Sequence, residues 1–225
     1  MPRIWLVDHP GSGAPAPSTL QAYAAAIEKG ILGDFGPVYN RGCSFAYGDE
    51  KDFSPGDQIL GLFGELDEPG ALGYNLPEEV EDITIANPLI GKISPVLDAR
   101  DGAELSQTID HEVKEALEDL FCDSIVSCVD GRLAANECCD AVEQDNYQID
   151  GIWLSNFVLP GWYSGKGRND FLGRLTAPMT VDAGGYCQFL TPRGWTQVTS
   201  EQIERRSYRR ASSRLARRAR HNTRA

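Results

Sequence analysis

The segment that constrains this chain most is residues 109–119, which read IDHEVKEALED and predict a helix. His111 and Glu115 are four residues apart in it, so they lie on the same helix face, one turn from each other. Glu112 lies about 100° round the helix from His111, near enough to reach a water held beside that pair. The segment therefore predicts two converging metal ligands with a carboxylate base next to them.

The pattern His-Glu-x-x-Glu differs at one position from the zinc motif His-Glu-x-x-His, in which both histidines bind the metal and the glutamate activates water. A carboxylate oxygen binds zinc at nearly the same distance as an imidazole nitrogen, roughly 2.0 to 2.2 Å. We therefore predict His111 and Glu115 as metal ligands and Glu112 as the general base. The alternative is a solvated helix face, because four acids and a lysine fall within residues 110–118.

A catalytic zinc ion needs a third protein ligand and keeps one position open for water. Glu137 and Asp140 are the best candidates for that ligand, since they are three residues apart and a helical turn can aim both at one point. Cys138 or Cys139 could also reach a metal held by these acids. Ca²⁺ is the alternative ion, because hard oxygen ligands suit it.

The rest of the chain predicts an α+β fold with one twisted sheet and few helices. A helix is expected from Ser18 as its N-cap to Gly30 at its end, with apolar residues repeating at intervals of three and four. β-prone stretches predict short strands before and after the 109–119 helix, at residues 4–7, 37–40, 43–47, 58–63, 83–86, 91–97 and 125–129.

Several separate blocks resemble a family of small phage and bacterial proteins that carry a zincin-like metallopeptidase signature. One is the helix from His111 to Asp119, and Asn75 stands where the family's upstream block has a histidine. The other blocks are residues 72–76, 137–151, 155–163, 184–186 and 194–195, so the resemblance covers roughly residues 19 to 198. It implies a zincin-like domain with an active-site helix, a bound metal ion and a phage or prophage origin.

Charge divides the sequence into two parts. Residues 201–225 contain nine arginines and two acids, a net charge of +7, and since the whole chain carries −12 the remainder carries −19. We therefore predict a zincin-like domain over residues 1–198 and a basic C-terminal interaction helix or tail over residues 199–225. Nucleic acid, through its phosphates, or an acidic protein surface would be the partner of this tail.

The sequence contains no apolar stretch of the about 18 residues that a membrane-spanning helix requires, and its N-terminus lacks the pattern of a signal peptide. The expected location is the host cytoplasm, with incorporation into a phage particle as a further option. Two functions follow from these observations. One is a zinc-dependent peptidase acting on a peptide or protein. The other is a virion structural protein that retains a zincin scaffold and binds neighbouring subunits or DNA through its arginines.

Overall fold

The computed structural model describes residues 1–68, 71–76 and 86–200, which form an α+β structure with a mixed sheet and several helices. The chain divides into two compact units. Of the described residues, the first comprises 1–67, 72–76, 86–121 and 147–154, and the second comprises 68, 71, 122–146 and 155–200. The arginine-rich segment 201–225 and most of the strand expected at 83–86 lie outside the described residues. The domain boundary expected at residue 198 stays a prediction.

The first unit is built on a five-stranded sheet in the order β2-β1-β3-β5-β4. Its strands are β1 (Arg3–Asp8), β2 (Ser44–Tyr47), β3 (Gln58–Leu62), β4 (Gly73–Asn75) and β5 (Leu89–Ile93). The strands β2, β1, β3 and β5 run parallel to one another, whereas β4 pairs antiparallel with β5. Parallel strands are covered on both faces, which explains why residues 4–7 are a continuous buried apolar run.

The described segments of this unit contribute four α-helices, namely α1 (Pro17–Gly30), α2 (Gly36–Tyr39), α3 (Pro95–Asp101) and α4 (Leu105–Glu118). The apolar faces of α1 and α4 and the central strands form one core. Its members include Ile4, Leu6, Leu20, Ile27, Leu60, Ile93, Ile109 and Val113. The helix predicted around His111 is therefore confirmed, and it lies against the core of the first unit.

Three local predictions in this unit are wrong. Ser18 is not the N-cap of the first helix, because the helix begins at Pro17 and Ala16 is its N-cap. The α-helix ends at Gly30 as predicted, and the chain continues through a π-helical turn, Ile31–Phe35. A Cβ on Gly30 would lie 2.5 Å from Leu154, so close packing explains the glycine. The strand expected at 37–40 is the helix α2, and Pro95 begins the helix α3 where a strand was expected to continue. In both cases a proline occupies the first turn of a helix, where its fixed φ fits.

Side-chain hydrogen bonds fix α4 within the first unit. The hydroxyl of Thr108 donates to Asp98 Oδ1 on α3 at 2.9 Å, and the hydroxyl of Ser106 donates to the carbonyl of Trp153 at 2.8 Å. Trp153 belongs to a hairpin of β8 (Asn146–Ile149) and β9 (Ile152–Ser155), whose turn residues Asp150 and Gly151 both have positive φ. An Asp-Gly pair favours this turn.

The second unit contains an antiparallel sheet in the order β11-β10-β7-β6. Its strands are β6 (Ile125–Ser127), β7 (Leu133–Ala135), β10 (Tyr186–Thr191) and β11 (Gly194–Thr199), and a short helix, α5 (Pro160–Ser164), lies between β9 and β10 in the chain. The buried amide of Asn156 organises the loop after it. Its Oδ1 accepts from the backbone of Phe157 and Leu172, and its Nδ2 donates to Asp170 at 2.9 Å.

No helix in the described part of the chain has the length and apolar composition needed to cross a membrane.

Candidate metal centre

The side chains of His111 and Glu115 meet on α4. The distance between His111 Nε2 and Glu115 Oε1 is 3.2 Å, and the two side chains are 2% and 0% exposed. Two ligand atoms at about 2.0 to 2.2 Å from one tetrahedral zinc ion lie roughly 3.3 Å apart, so the pair fits zinc without rearrangement. The alternative of a solvated helix face is wrong, because every residue from Thr108 to Ala116 is buried.

Glu112 is also buried, and it packs against the antiparallel strand β4. A Cβ added to Gly73 would lie 3.0 Å from both Cγ and Oε1 of Glu112. That distance is shorter than ordinary van der Waals contact. The absence of a side chain at position 73 therefore leaves the space that the Glu112 carboxylate occupies. The helix and β4 together hold the predicted base in a defined place beside His111.

A second buried ion pair lies on the same helix. Lys114 Nζ donates to Asp110 Oδ2 at 2.6 Å, and neither side chain is exposed to solvent. Lys114 Nζ also lies 5.3 Å from the centre of the Tyr147 ring, and the Tyr147 hydroxyl donates to Asp34 at 3.1 Å. Buried charges require partners of this kind. Lys114 belonged to the alternative of a solvated helix face, and spacing alone does not reveal that residues 108–116 are buried on every side of the helix.

The predicted ligands Glu137 and Asp140 belong to the second unit and are close to each other. One carboxylate oxygen of Asp140 lies within 4.8 Å of an oxygen of Glu137, and likewise of Glu143. All three residues are buried. Asp140 begins a single 3-10 turn, Asp140–Val142, so Glu137 lies before the turn and not on it. Buried carboxylates at such separations repel one another unless a cation or a proton is shared among them. The arrangement therefore fits a bound cation.

Thiols surround these carboxylates. Cys138 and Cys139 are fully buried, and their Sγ atoms are 3.7 Å apart. Burial strongly raises the pKa of the Cys187 thiol, and the negative charges of Asp140 and Glu137 raise it further. In the first unit, burial and the nearby Glu28 and Asp110 raise the pKa of Cys43 to about 12. Five of the six cysteines are buried, and Cys122 is partly exposed.

One feature of the second unit was not predicted. The carboxyl groups of Asp145 and Asp182 lie close to each other, although 37 residues separate them in the chain. Burial and the charge of Asp182 raise the pKa of Asp145 to about 6, while Asn156 and Arg174 act in the opposite direction. A pattern of local spacing cannot detect a pair that distant parts of the chain bring together.

This carboxyl pair predicts a pH dependence of stability. The folded protein binds the proton of Asp145 more tightly than the unfolded chain, whose pKa is near 3.8, so stability falls as pH rises from about 4 to about 6. Asp145→Asn should raise the free energy of unfolding by about 1 kcal/mol at pH 7.5, a value reduced for solvent screening of a half-exposed pair. It should have little effect at pH 4.

Urea denaturation of both proteins at pH 4 and pH 7.5 measures this effect, with Asp150→Asn as a control at an exposed turn. An equal change at both pH values for Asp145→Asn would refute the raised pKa of Asp145.

The predicted site residues fall into two groups, and the members of each group lie close to one another. His111, Glu112 and Glu115 lie on α4 in the first unit, and Glu137 and Asp140 lie in the second. Glu143 joins the second group as an additional carboxylate. A scan against protein-family models and searches of curated proteins and of solved structures each found no match. The zincin-like family stays a prediction from residues alone.

Proposed function

We propose that this protein is a zinc-dependent peptidase of phage or prophage origin. The observation that carries the proposal is the buried His111–Glu115 pair with its zinc-compatible spacing of 3.2 Å, next to the buried Glu112. Five residues of one helix contain a histidine and two carboxylates. These groups match the two metal ligands and the base of a metallohydrolase. The host cytoplasm is the proposed place of action.

Glu137 and Asp140 are the candidates that we propose for the remaining ligand. Their burial and mutual proximity supply a negative charge that a divalent cation would neutralise. Zinc is favoured over Ca²⁺ because His111 contributes an imidazole nitrogen, whereas Ca²⁺ takes oxygen ligands. When bound, zinc would polarise the peptide carbonyl and lower the pKa of an attacking water.

The residues of the chain then have separate roles. Glu112 accepts the proton of the attacking water and returns it to the amine that leaves. Its fixed position against Gly73 limits the rotation that would take the carboxylate away from the water. Burial keeps the competing solvent away from this carboxylate.

Metal analysis is the direct test. Purified wild-type protein should contain about one zinc ion per chain, and His111→Ala and Glu115→Ala should each lose it, because three protein ligands hold a catalytic zinc. Glu118→Ala, on the same helix but outside the pair, is the matched control and should retain zinc. A folded wild-type protein that takes up no zinc would rule out the peptidase.

The second candidate function is a virion structural protein that binds subunits or DNA through its arginines. The charge contrast between residues 201–225 and the rest of the chain favours it. Salt-sensitive binding of DNA by the full chain, lost when residues 201–225 are removed, would support this function. Copurification with phage particles in many copies would distinguish a structural role from an enzymatic one.

A further inference from the structure

The carboxylate of Asp67 contacts two neighbouring strands of the first unit. The hydroxyl of Tyr74 on β4 donates a hydrogen bond to Asp67 Oδ1. Lys92 Nζ on β5 donates to Oδ1 and Oδ2 of the same carboxylate, at 3.2 and 3.4 Å. Tyr74 and Lys92 are partners in the register of the β4–β5 pair. Asp67 therefore joins the two strands at one level of the sheet.

This contact lies on the face of the sheet opposite to Glu112. Successive residues of a strand face opposite sides of the sheet, so Gly73 faces away from the side on which Tyr74 meets Asp67. A Cβ on Gly73 would lie 3.0 Å from Glu112 Cγ. Asp67 thus contacts β4 from one side, and Glu112 packs against the strand from the other.

The backbone pairing of β4 with β5 is short. It extends over three residues, and two further backbone hydrogen bonds flank it. Ser94 N donates to the carbonyl of Leu72 at 2.9 Å, and Leu76 N donates to the carbonyl of Ile90 at 2.7 Å. A strand with so few backbone bonds opens at a low free-energy cost. Side-chain contacts therefore contribute a large share of what keeps β4 in place.

The hydrogen bond from Tyr74 is the stronger of the two contacts of Asp67. The Tyr74 side chain is buried, whereas the ion pair with Lys92 is open to solvent on the Asp67 side and contributes less. The Tyr74 hydroxyl lowers the pKa of Asp67, and Lys92 lowers it further. The acceptor is therefore a charged carboxylate at neutral pH, which makes the hydrogen bond stronger than one to a neutral group.

We propose that Asp67 is a positioning residue, which holds β4 against Glu112 and thereby fixes the place of the proposed base. For its effect on catalysis, this inference rests on the proposed function. When the contact with Asp67 is weakened, β4 moves away from Glu112 more often and the carboxylate gains room to rotate. A displacement of about 1 Å at a reacting group is enough to lower the rate substantially.

Hydrogen exchange of the full chain measures the opening of β4. Asp67→Asn and Tyr74→Phe weaken the contact from its two ends and nearly preserve the shape of each side chain. We expect the amides of Leu76 and Ser94 to exchange about tenfold faster in both variants. Asp49→Asn is the matched control, because Asp49 is another exposed carboxylate of the first unit in an ion pair, and it should exchange like the wild type.

Urea denaturation tests the contact with Glu112 without any need for activity. Gly73→Ala introduces a Cβ against Glu112, and its cost depends on whether β4 yields. We expect Gly73→Ala to lower the urea midpoint of the wild-type protein. It should lower the midpoint less in an Asp67→Asn background, because β4 then moves away from the added methyl group.

Kinetics of the zinc-loaded protein test the effect on the base. Asp67→Asn and Tyr74→Phe should lower kcat about tenfold or more, with zinc content and KM nearly unchanged. Asp49→Asn should retain the wild-type kcat. A general loss of structure would instead reduce the zinc content together with the activity.

Three results would overturn the proposal. The first is wild-type exchange at Leu76 and Ser94 in Asp67→Asn, and the second is a Gly73→Ala effect of equal size in both backgrounds. The third is an unchanged kcat despite faster exchange. If the wild-type protein hydrolyses no peptide, the proposed function fails, whereas exchange rates and urea midpoints that change as expected still support the placement of β4 by Asp67.

Discussion

Glu112→Gln is expected to lower kcat for peptide hydrolysis by about 10² to 10⁴-fold while zinc content stays unchanged. Glutamine has nearly the same shape as glutamate but cannot accept and return a proton. Because Glu112 is buried against β4, the substituted side chain should occupy the same place. The loss should therefore appear in kcat and leave KM nearly unchanged.

Steady-state kinetics with a quenched fluorescent peptide library, together with zinc analysis of the same samples, tests this expectation. Glu118→Gln removes a carboxylate from the same helix outside the His111–Glu115 pair and should retain wild-type activity. Activity of Glu112→Gln close to the wild type would exclude Glu112 as the base. Loss of zinc in this variant would instead indicate that Glu112 is a ligand.

Lys114→Met is expected to reduce the free energy of unfolding by about 3 to 5 kcal/mol. Lys114 and Asp110 form a fully buried ion pair at 2.6 Å. Removing the ammonium group leaves the Asp110 carboxylate in the interior without its cation, and the desolvation of that charge is no longer compensated. Urea denaturation followed by circular dichroism measures the change.

Two further variants define the origin of this loss. Asp110→Leu combined with Lys114→Met should recover most of the stability, because no unpaired charge is then buried. Lys29→Ala breaks the exposed ion pair with Asp150, whose side chains are 61% and 63% exposed, and should change stability by less than about 1 kcal/mol. A Lys114→Met effect as small as that of Lys29→Ala would contradict the burial of the pair.

Local sequence signals predicted much of the fold. Residues 4–7 and 58–63 are β-rich apolar runs and form β1 and β3, and the helix around His111 was predicted at the right place. The errors occurred where local signals had two meanings. Pro37 and Pro95 indicate an interrupted strand or the first turn of a helix, and Ser18 indicates an N-cap or a position within the first turn. Contacts with neighbouring helices and strands decide which of the two structures forms, and the local sequence does not contain that information.

The sequence by itself determined that His111 and Glu115 share a helix face, because the 3.6-residue period fixes the relation of positions i and i+4. It also determined the contrast between an acidic body and an arginine-rich end. Only the tertiary structure decided that α4 is buried on all sides, which makes Lys114 and Asp110 an interior ion pair. It also decided that Gly73 leaves room for Glu112 and that Asp145 meets Asp182. These contacts join residues distant in the chain, and packing of whole elements creates them, whereas helical periodicity acts only over a few residues.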